Sequence, residues 1–205
     1  MSAAWDEFLA QYEAEGRERL DGYSAGHFDG LDDAELARAR AMVIARAEDG
    51  QTPEIRALPL LRTPAALPVV EGLLARERGP TLVRLAACEA GWAMTHSPGY
   101  QHEMLRLAEA GDDFVRARAL TAVTSLPLEP GAFEAVVTLL RTEEDEVIAV
   151  ELAQGVLRSR GVAVDDDEDF ERALPLVRAL AAPSLQDRGE AIANLDALIA
   201  AHRGA

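Results

Sequence analysis

Side chains of the kind that bind metals occur close together at one place in the sequence. His96 and His102 flank Tyr100, and Glu103 follows directly. A zinc or iron site needs three or four ligands brought together, and no His-x-x-x-His or paired-cysteine spacing supplies them here. We therefore predict no metal site and no other cofactor.

A calcium loop is the second chemistry that the sequence suggests. Asp165, Asp167 and Asp169 alternate as they do at the start of such a loop. Phe170, however, stands where the loop needs glycine, and Leu176 stands where it needs glutamate, so the segment does not match a calcium loop.

The sequence also lacks the glycine-rich phosphate-binding fingerprints of nucleotide enzymes. We predict a protein without catalytic residues.

The elements that position these side chains are helices, because a short helical phrase recurs at an even spacing. The phrase and the helix before it each repeat every 32 residues, the phrase at Val83, Val115 and Val147 and the preceding helix at Leu73, Leu105 and Val137. A helix pair of this kind buries its apolar face only against its neighbours. We predict one domain over 1–205, with an N-terminal helical cap (1–50), regular repeats (51–161) and an acidic insertion followed by a last helix pair (162–205).

Prolines and capping residues mark where the helices begin. Four prolines stand where each can be the first residue of a helix, at Thr52-Pro53, Thr63-Pro64, Ser97-Pro98 and Glu129-Pro130, and three of them follow a good N-cap residue. The segments 142–145 and 184–187 resemble capping boxes. We expect no strand. The predicted helices are 4–20, 32–48, 53–61, 64–76, 80–95, 98–110, 112–125, 130–141, 143–160, 168–181 and 184–202, with a turn over 22–30.

The single cysteine, Cys88, lies in the first repeat phrase, where the other copies have Leu120 and Leu152. We expect it to be buried rather than nucleophilic. One cysteine fits a reducing compartment. Residues 1–9 lack a basic region followed by an apolar run, and no stretch of about 18 apolar residues occurs. We expect a cytoplasmic protein that does not bind a membrane.

The charge balance bears on the partner. The formal net charge is -16, from 36 acidic and 20 basic residues, and the basic residues are all arginine. A field of this sign repels phosphate backbones, so we expect no nucleic-acid partner. It favours a basic protein instead, although the same charge can serve solubility alone.

Two surfaces are candidates for binding a protein partner. The first combines one face of the helix predicted over 143–160 with the acidic loop after it, and it comprises Glu144, Glu151, Gln154, Arg158, Asp165, Asp166 and Asp167. Glu151 and Gln154 stand where the earlier copies have alanine, which indicates local exposure. The alternative is that this helix is rotated, with Ile148 facing inward, and that the acidic loop is merely solvated.

The second candidate surface is aromatic. Trp92 and Tyr100 lie near the end of the first repeat phrase, with His96 between them. Exposed aromatic side chains dominate binding energetics in many interfaces. The alternative is that both rings pack between repeats.

The repeat phrase resembles the HEAT-like α-solenoid family, whose second helices often open with an acidic residue followed by Val-Arg and alanines. The segment 113–116 reads Asp-Phe-Val-Arg and is followed by Ala119 and Ala122, which fits that pattern best. The copy at 83 keeps Val-Arg but has Gly-Pro-Thr before it, and the copy at 147 has Ile148 in place of the arginine. The resemblance covers residues 53–202.

This resemblance implies a right-handed α-α solenoid of helix pairs that binds protein rather than catalyses a reaction. The aromatic and acidic lead-in over 5–28 looks like that of small bacterial helical-repeat proteins that act as immunity proteins. The leading hypothesis is therefore an immunity protein that blocks the active-site face of a basic toxin with an acidic surface. The alternatives are a lyase- or hydroxylase-like HEAT enzyme or enzyme subunit, and a general scaffold.

Overall fold

A computed structural model describes residues 2–76 and 79–204. Over these residues the protein is all-α, with no β-strand. Its helices are α1 (Ala3–Glu13), α2 (Gly16–Leu20), α3 (Gly26–Asp29), α4 (Asp33–Glu48), α5 (Thr52–Ala57), α6 (Ala66–Leu74), α7 (Thr81–Thr95), α8 (Pro98–Ala110), α9 (Asp113–Thr124), α10 (Pro130–Thr142), α11 (Glu146–Ser159), α12 (Asp167–Leu180), α13 (Leu185–Ala193) and α14 (Leu195–Arg203). A short 3-10 helix, Leu58–Leu61, continues α5. The predicted all-α class is confirmed.

The chain forms two compact units, Met1–Tyr100 and Gln101–Ala205. Within the first, α5 packs on α4 and α7, and α6 packs on α7. Within the second, α11 packs on α9, α10 and α12, and α13 packs on α10 and α12. The prediction of a single domain over 1–205 stays a prediction.

The first unit is built on an aromatic cluster. The rings of Trp5 and Phe28 pack against Phe8, with centroids 5.4 and 5.9 Å from its ring, and Phe8 is fully buried. Asp32 caps α4 and forms a capping box with Glu35, which also accepts hydrogen bonds from the backbone and side chain of Ser2. These bonds tie α1 to α4, and they hold the pKa of Glu35 below its usual range.

A buried carboxylate joins three segments of the same unit. Glu54, at the start of α5, is 1% exposed, and its oxygens lie 3.3 Å from guanidinium nitrogens of both Arg19 and Arg46. The hydroxyl of Tyr23 lies 3.4 Å from the same carboxylate. Arg46 also stacks over the ring of Tyr12, with 3.5 Å between its central carbon and the ring centroid. We call these residues the Glu54 cluster.

Several predicted helix boundaries were wrong. The predicted helix 4–20 is interrupted after Glu13 because Gly16 has a positive φ of 58°, and the predicted turn 22–30 contains α3. The predicted helix 184–202 is divided at Asn194 into α13 and α14. The predicted helix 64–76 starts two residues later, at Ala66, and ends at Leu74. The helix predicted from 143 begins at Glu146, so Thr142 ends α10 instead of capping α11.

Other predicted boundaries are confirmed. Pro130 opens α10, Pro98 opens α8, and the Ser184 side chain caps α13 by accepting a hydrogen bond from the Asp187 backbone.

Cys88 is fully buried, as the repeat comparison predicted. In the described part of the chain, no helix is both long and apolar enough to cross a bilayer.

Candidate functional site: a groove on helices α9 and α11

One face of α9 and α11 forms an open groove in the second unit. Its volume is about 520 Å³, within the range of ligand-binding pockets. The groove is lined by Thr121, Thr124, Ser125, Glu146, Val147, Val150, Glu151, Gln154 and Arg158. Valine side chains and threonine methyl groups supply apolar surface, and two carboxylates border it.

The two helices approach closely beneath the groove because α11 carries glycine at the crossing. A Cβ atom at Gly155 would stand 2.7 Å from the Cβ of Thr124 and 3.1 Å from its Cα. Thr124 is itself buried, and its hydroxyl donates to the Leu120 carbonyl of its own helix. The groove therefore rests on a tightly packed interface between the two helices.

The beginnings of α9 and α11 set which side chains face the groove. Asp112 and Asp145 cap the two helices through their carboxylates, and these caps are 33 positions apart rather than 32. The second helical residues, Phe114 and Val147, are then equivalent, and both are exposed, at 62% and 71%. The extra residue rotates α11 by about 100° about its own axis, compared with the orientation that a 32-residue spacing predicts.

This register corrects the sequence comparison. Leu152, fully buried, is the structural counterpart of the buried Ala119, so the alignment that placed Glu151 there was off by one residue. Ile148 is half-buried and Val147 faces solvent. α11 is therefore rotated relative to the repeat spacing, although Ile148 is only half-buried, and the rotation is what brings Glu151 and Gln154 into the groove.

The charged groups of the groove differ in how they are compensated. Arg158 pairs with Asp165, whose Oδ1 lies 2.8 Å from Nε, and it also donates to the Thr124 carbonyl. Glu151 accepts a hydrogen bond from the Thr121 hydroxyl, which is a neutral donor. The charge of Arg158 is thus matched, whereas Glu151 has no cationic partner among the residues that the structure describes.

The predicted first surface is only partly assembled. Glu151, Gln154 and Arg158 come together in the groove, whereas Glu144 is exposed in the loop before α11 and does not line it. In the acidic loop, Asp165 binds Arg158 and Asp166 caps α12 by accepting from the Asp169 backbone. Asp167 is exposed in the first turn of α12. Two of the three predicted carboxylates, those of Asp165 and Asp166, therefore make intramolecular contacts instead of being free for a partner.

The predicted aromatic surface is largely closed to solvent. Trp92 is 5% exposed, and its ring meets that of His96 edge-on at 5.5 Å. Tyr100 is half-buried against Gly91, where a Cβ atom would stand 2.4 Å from the tyrosine ring. Burial and the charge of Glu71 raise the pKa of Tyr100. Trp92 and Tyr100 pack within the first unit, as the alternative proposed.

A Gly-x-Ser-x-Gly pattern at 22–26 escaped the sequence reasoning. This pattern forms a nucleophile elbow between a strand and a helix, whereas Ser24 lies in a turn before the four-residue helix α3. Nδ1 of His27 lies 2.9 Å from the Ser24 hydroxyl, but it also accepts the Ser24 backbone N–H at 2.9 Å. The contact closes a local turn and leaves that nitrogen engaged by the backbone.

Sequence reasoning also missed Val147, Val150 and Glu146 as groove residues, together with one structural arginine. The signal for the first three was Asp145, whose position as the N-cap sets the facing of α11. Arg188 is 2% exposed and donates to the carbonyls of Leu140 at 2.8 Å and Ala182 at 3.0 Å. Nothing in its sequence context distinguishes it from a surface arginine.

Over residues 2–76 and 79–204, no three histidine, cysteine or acidic side chains converge as metal ligands. Comparison with family models, with curated proteins and with solved structures finds no match to this chain.

Proposed function

We propose that this chain is a non-catalytic protein-binding module, a right-handed solenoid of HEAT-like helix pairs, and that it holds its partner in the α9–α11 groove. The observation that supports this most is the exposed apolar surface on α11. Val147 is 71% exposed at the rim of a groove of about 520 Å³. An exposed apolar side chain at the rim of a groove with polar borders suits contact with another protein.

Helix packing within the second unit supports the same proposal. α11 buries one wide face against α9, α10 and α12, and its remaining face is the one that lines the groove. Because three neighbouring helices fix α11 in place, its free face forms a rigid surface. Rigid surfaces lose little conformational entropy on binding, which favours stable complexes.

The most concrete form of this function is immunity against a cytotoxic protein. The net charge of -16 would steer a basic toxin toward the groove, and occupation of the toxin's active-site face would block its substrate. The toxin's Arg or Lys residues, which it uses on an anionic substrate, would pair with Glu146 and Glu151. Binding would then be fast at low salt and slower as ionic strength rises.

The test is co-expression with the product of the neighbouring open reading frame. We expect that product to arrest growth when expressed alone, and the present chain to restore growth and to co-purify with it in a fixed ratio. E146Q with E151Q should slow association about tenfold at low salt, whereas E171Q on α12, also exposed, should leave it unchanged. Growth restored without a complex would exclude the proposal, and an association rate independent of salt would exclude its electrostatic part.

A further inference from the structure

We infer that the groove takes a basic segment of the partner that is anchored by a large apolar side chain, so that apolar contact holds the complex and charge only orients it. This inference rests on the proposed function and names the chemistry of the partner. It differs from the sequence hypothesis, in which an acidic surface alone grips the partner.

The apolar part is argued from a position that repeats. Five large apolar side chains in the described part of the chain are exposed, and three of them occupy the same place in successive second helices: Leu82, Phe114 and Val147, at 39%, 62% and 71%. Each is the second residue of its helix. The helix dipole favours acidic residues in the first turn, and a largely exposed apolar side chain gains little from burial there.

Contact with a partner would bury these side chains. In the second unit, Phe114 and Val147 stand at equivalent places on two helices that pack together, and Val150 lies one turn further along the groove. Exposed aromatic and aliphatic groups on a rigid face are the usual anchors of protein interfaces.

The charge part is argued from the carboxylates of the groove. Glu146 is exposed in the first turn of α11, and Glu151 accepts a hydrogen bond from the Thr121 hydroxyl. Among the described residues, no arginine or histidine lies within ion-pair distance of either. Because Asp165 already neutralises Arg158, the groove keeps a net negative charge that an arginine or lysine beside the apolar anchor would balance.

The same charges disfavour a second copy of this chain as the occupant. A two-fold contact of groove on groove would set Glu146 and Glu151 of one copy against the same carboxylates of the other. Burial of like charges without partners is unfavourable. Charge complementarity therefore selects a basic segment of a different protein.

The test uses the full chain and four synthetic helical peptides of equal length. They combine leucine or serine anchors with arginine or glutamate flanks, so that each property varies alone. We expect only the leucine-arginine peptide to give saturable shifts in the NMR signals of the Val147 and Val150 methyl groups. Equal binding of the leucine-glutamate peptide would overturn the charge part, equal binding of the serine-arginine peptide would overturn the apolar part, and the absence of saturable binding by all four would overturn the inference.

Variants then separate this inference from the proposed function. V147S should weaken the leucine-arginine peptide about tenfold, which corresponds to loss of one buried aliphatic contact. L185S, at another exposed apolar side chain, which begins α13, should leave binding unchanged. If the natural partner binds V147S as tightly as the unmodified chain but loses E146Q with E151Q, the inference is wrong and the proposed function stands. If no natural partner is captured, the proposed function fails while the peptide result still reports the chemistry of the groove.

Discussion

Two glutamates, Glu54 in the first unit and Glu151 in the second, differ in burial and in the charges around them. Glu54 is 1% exposed between two arginines and a tyrosine hydroxyl, whereas Glu151 is half-buried in an open groove with a threonine hydroxyl as its donor. A carboxylate surrounded by cations is a structural element. One that only a neutral donor contacts keeps its charge available to another molecule.

The comparison also shows that abundant negative charge in the sequence does not indicate where a partner binds. The acidic loop was the most conspicuous charged segment of the sequence, yet Asp165 and Asp166 serve Arg158 and the start of α12. The groove carries fewer charges, but they lie beside exposed apolar surface. The location of uncompensated charge is therefore more informative than its density.

The largest expected effect tests whether the Glu54 cluster is structural. E54A should lower the free energy of unfolding by about 3 kcal/mol, at the low end for a broken buried ion pair because both arginines remain partly exposed to water. E151A should change it by less than about 1 kcal/mol, since only one partly exposed hydrogen bond is lost. Urea unfolding followed by circular dichroism measures both. Equal losses for the two variants would remove the distinction drawn between these glutamates.

A second, smaller effect tests the packing beneath the groove. G155A should destabilise by about 1–3 kcal/mol, because the new methyl group would meet Thr124 at 2.7 Å. G189A is the matched control, since that helical glycine has no neighbour within 4 Å and alanine there should stabilise by about 0.5–1 kcal/mol. Thermal unfolding of both variants gives the comparison. Stabilisation by G155A would mean that α9 and α11 are not closely packed.

The smallest effect concerns pH and the Glu54 cluster. Burial, reinforced by the charge of Glu54, raises the pKa of Tyr23 well above its usual value of about 10. Between about pH 10 and the raised pKa of Tyr23, the folded state keeps the phenol proton that the unfolded state has lost. The free energy of unfolding is therefore highest below about pH 10 and falls as the pH rises further. Y23F should remove part of this alkaline loss while costing less than about 1 kcal/mol at neutral pH, where only a 3.4 Å hydrogen bond disappears.

Unfolding free energies of the unmodified chain and Y23F, compared at neutral and alkaline pH, provide the measurement. An identical alkaline loss in both proteins would show that Tyr23 ionises as freely in the folded state as in the unfolded one. The buried cluster would then be more hydrated than the structure indicates.

The sequence by itself determined the helical class and many helix boundaries, because these depend on neighbouring residues. Pro130 and Ser184 begin helices through local backbone geometry, and the repeating apolar positions place core residues such as Cys88 and Leu120 correctly. It also directed attention to the face of α11 that lines the groove, although through an alignment that was off by one residue. Three of the seven residues predicted for the first binding surface, Glu151, Gln154 and Arg158, line the groove.

Only the tertiary structure decided which way α11 faces and which charges are buried. The sequence phrase repeats every 32 residues, whereas the helix cap before α11 comes 33 residues after the preceding one. That one extra residue rotates the helix by about 100°, so Val147 lies in solvent rather than in the core. Glu54 and Arg188 are buried by partners 35 and 48 residues away. Contacts over such distances depend on how separate helices pack, and local sequence patterns do not contain that information.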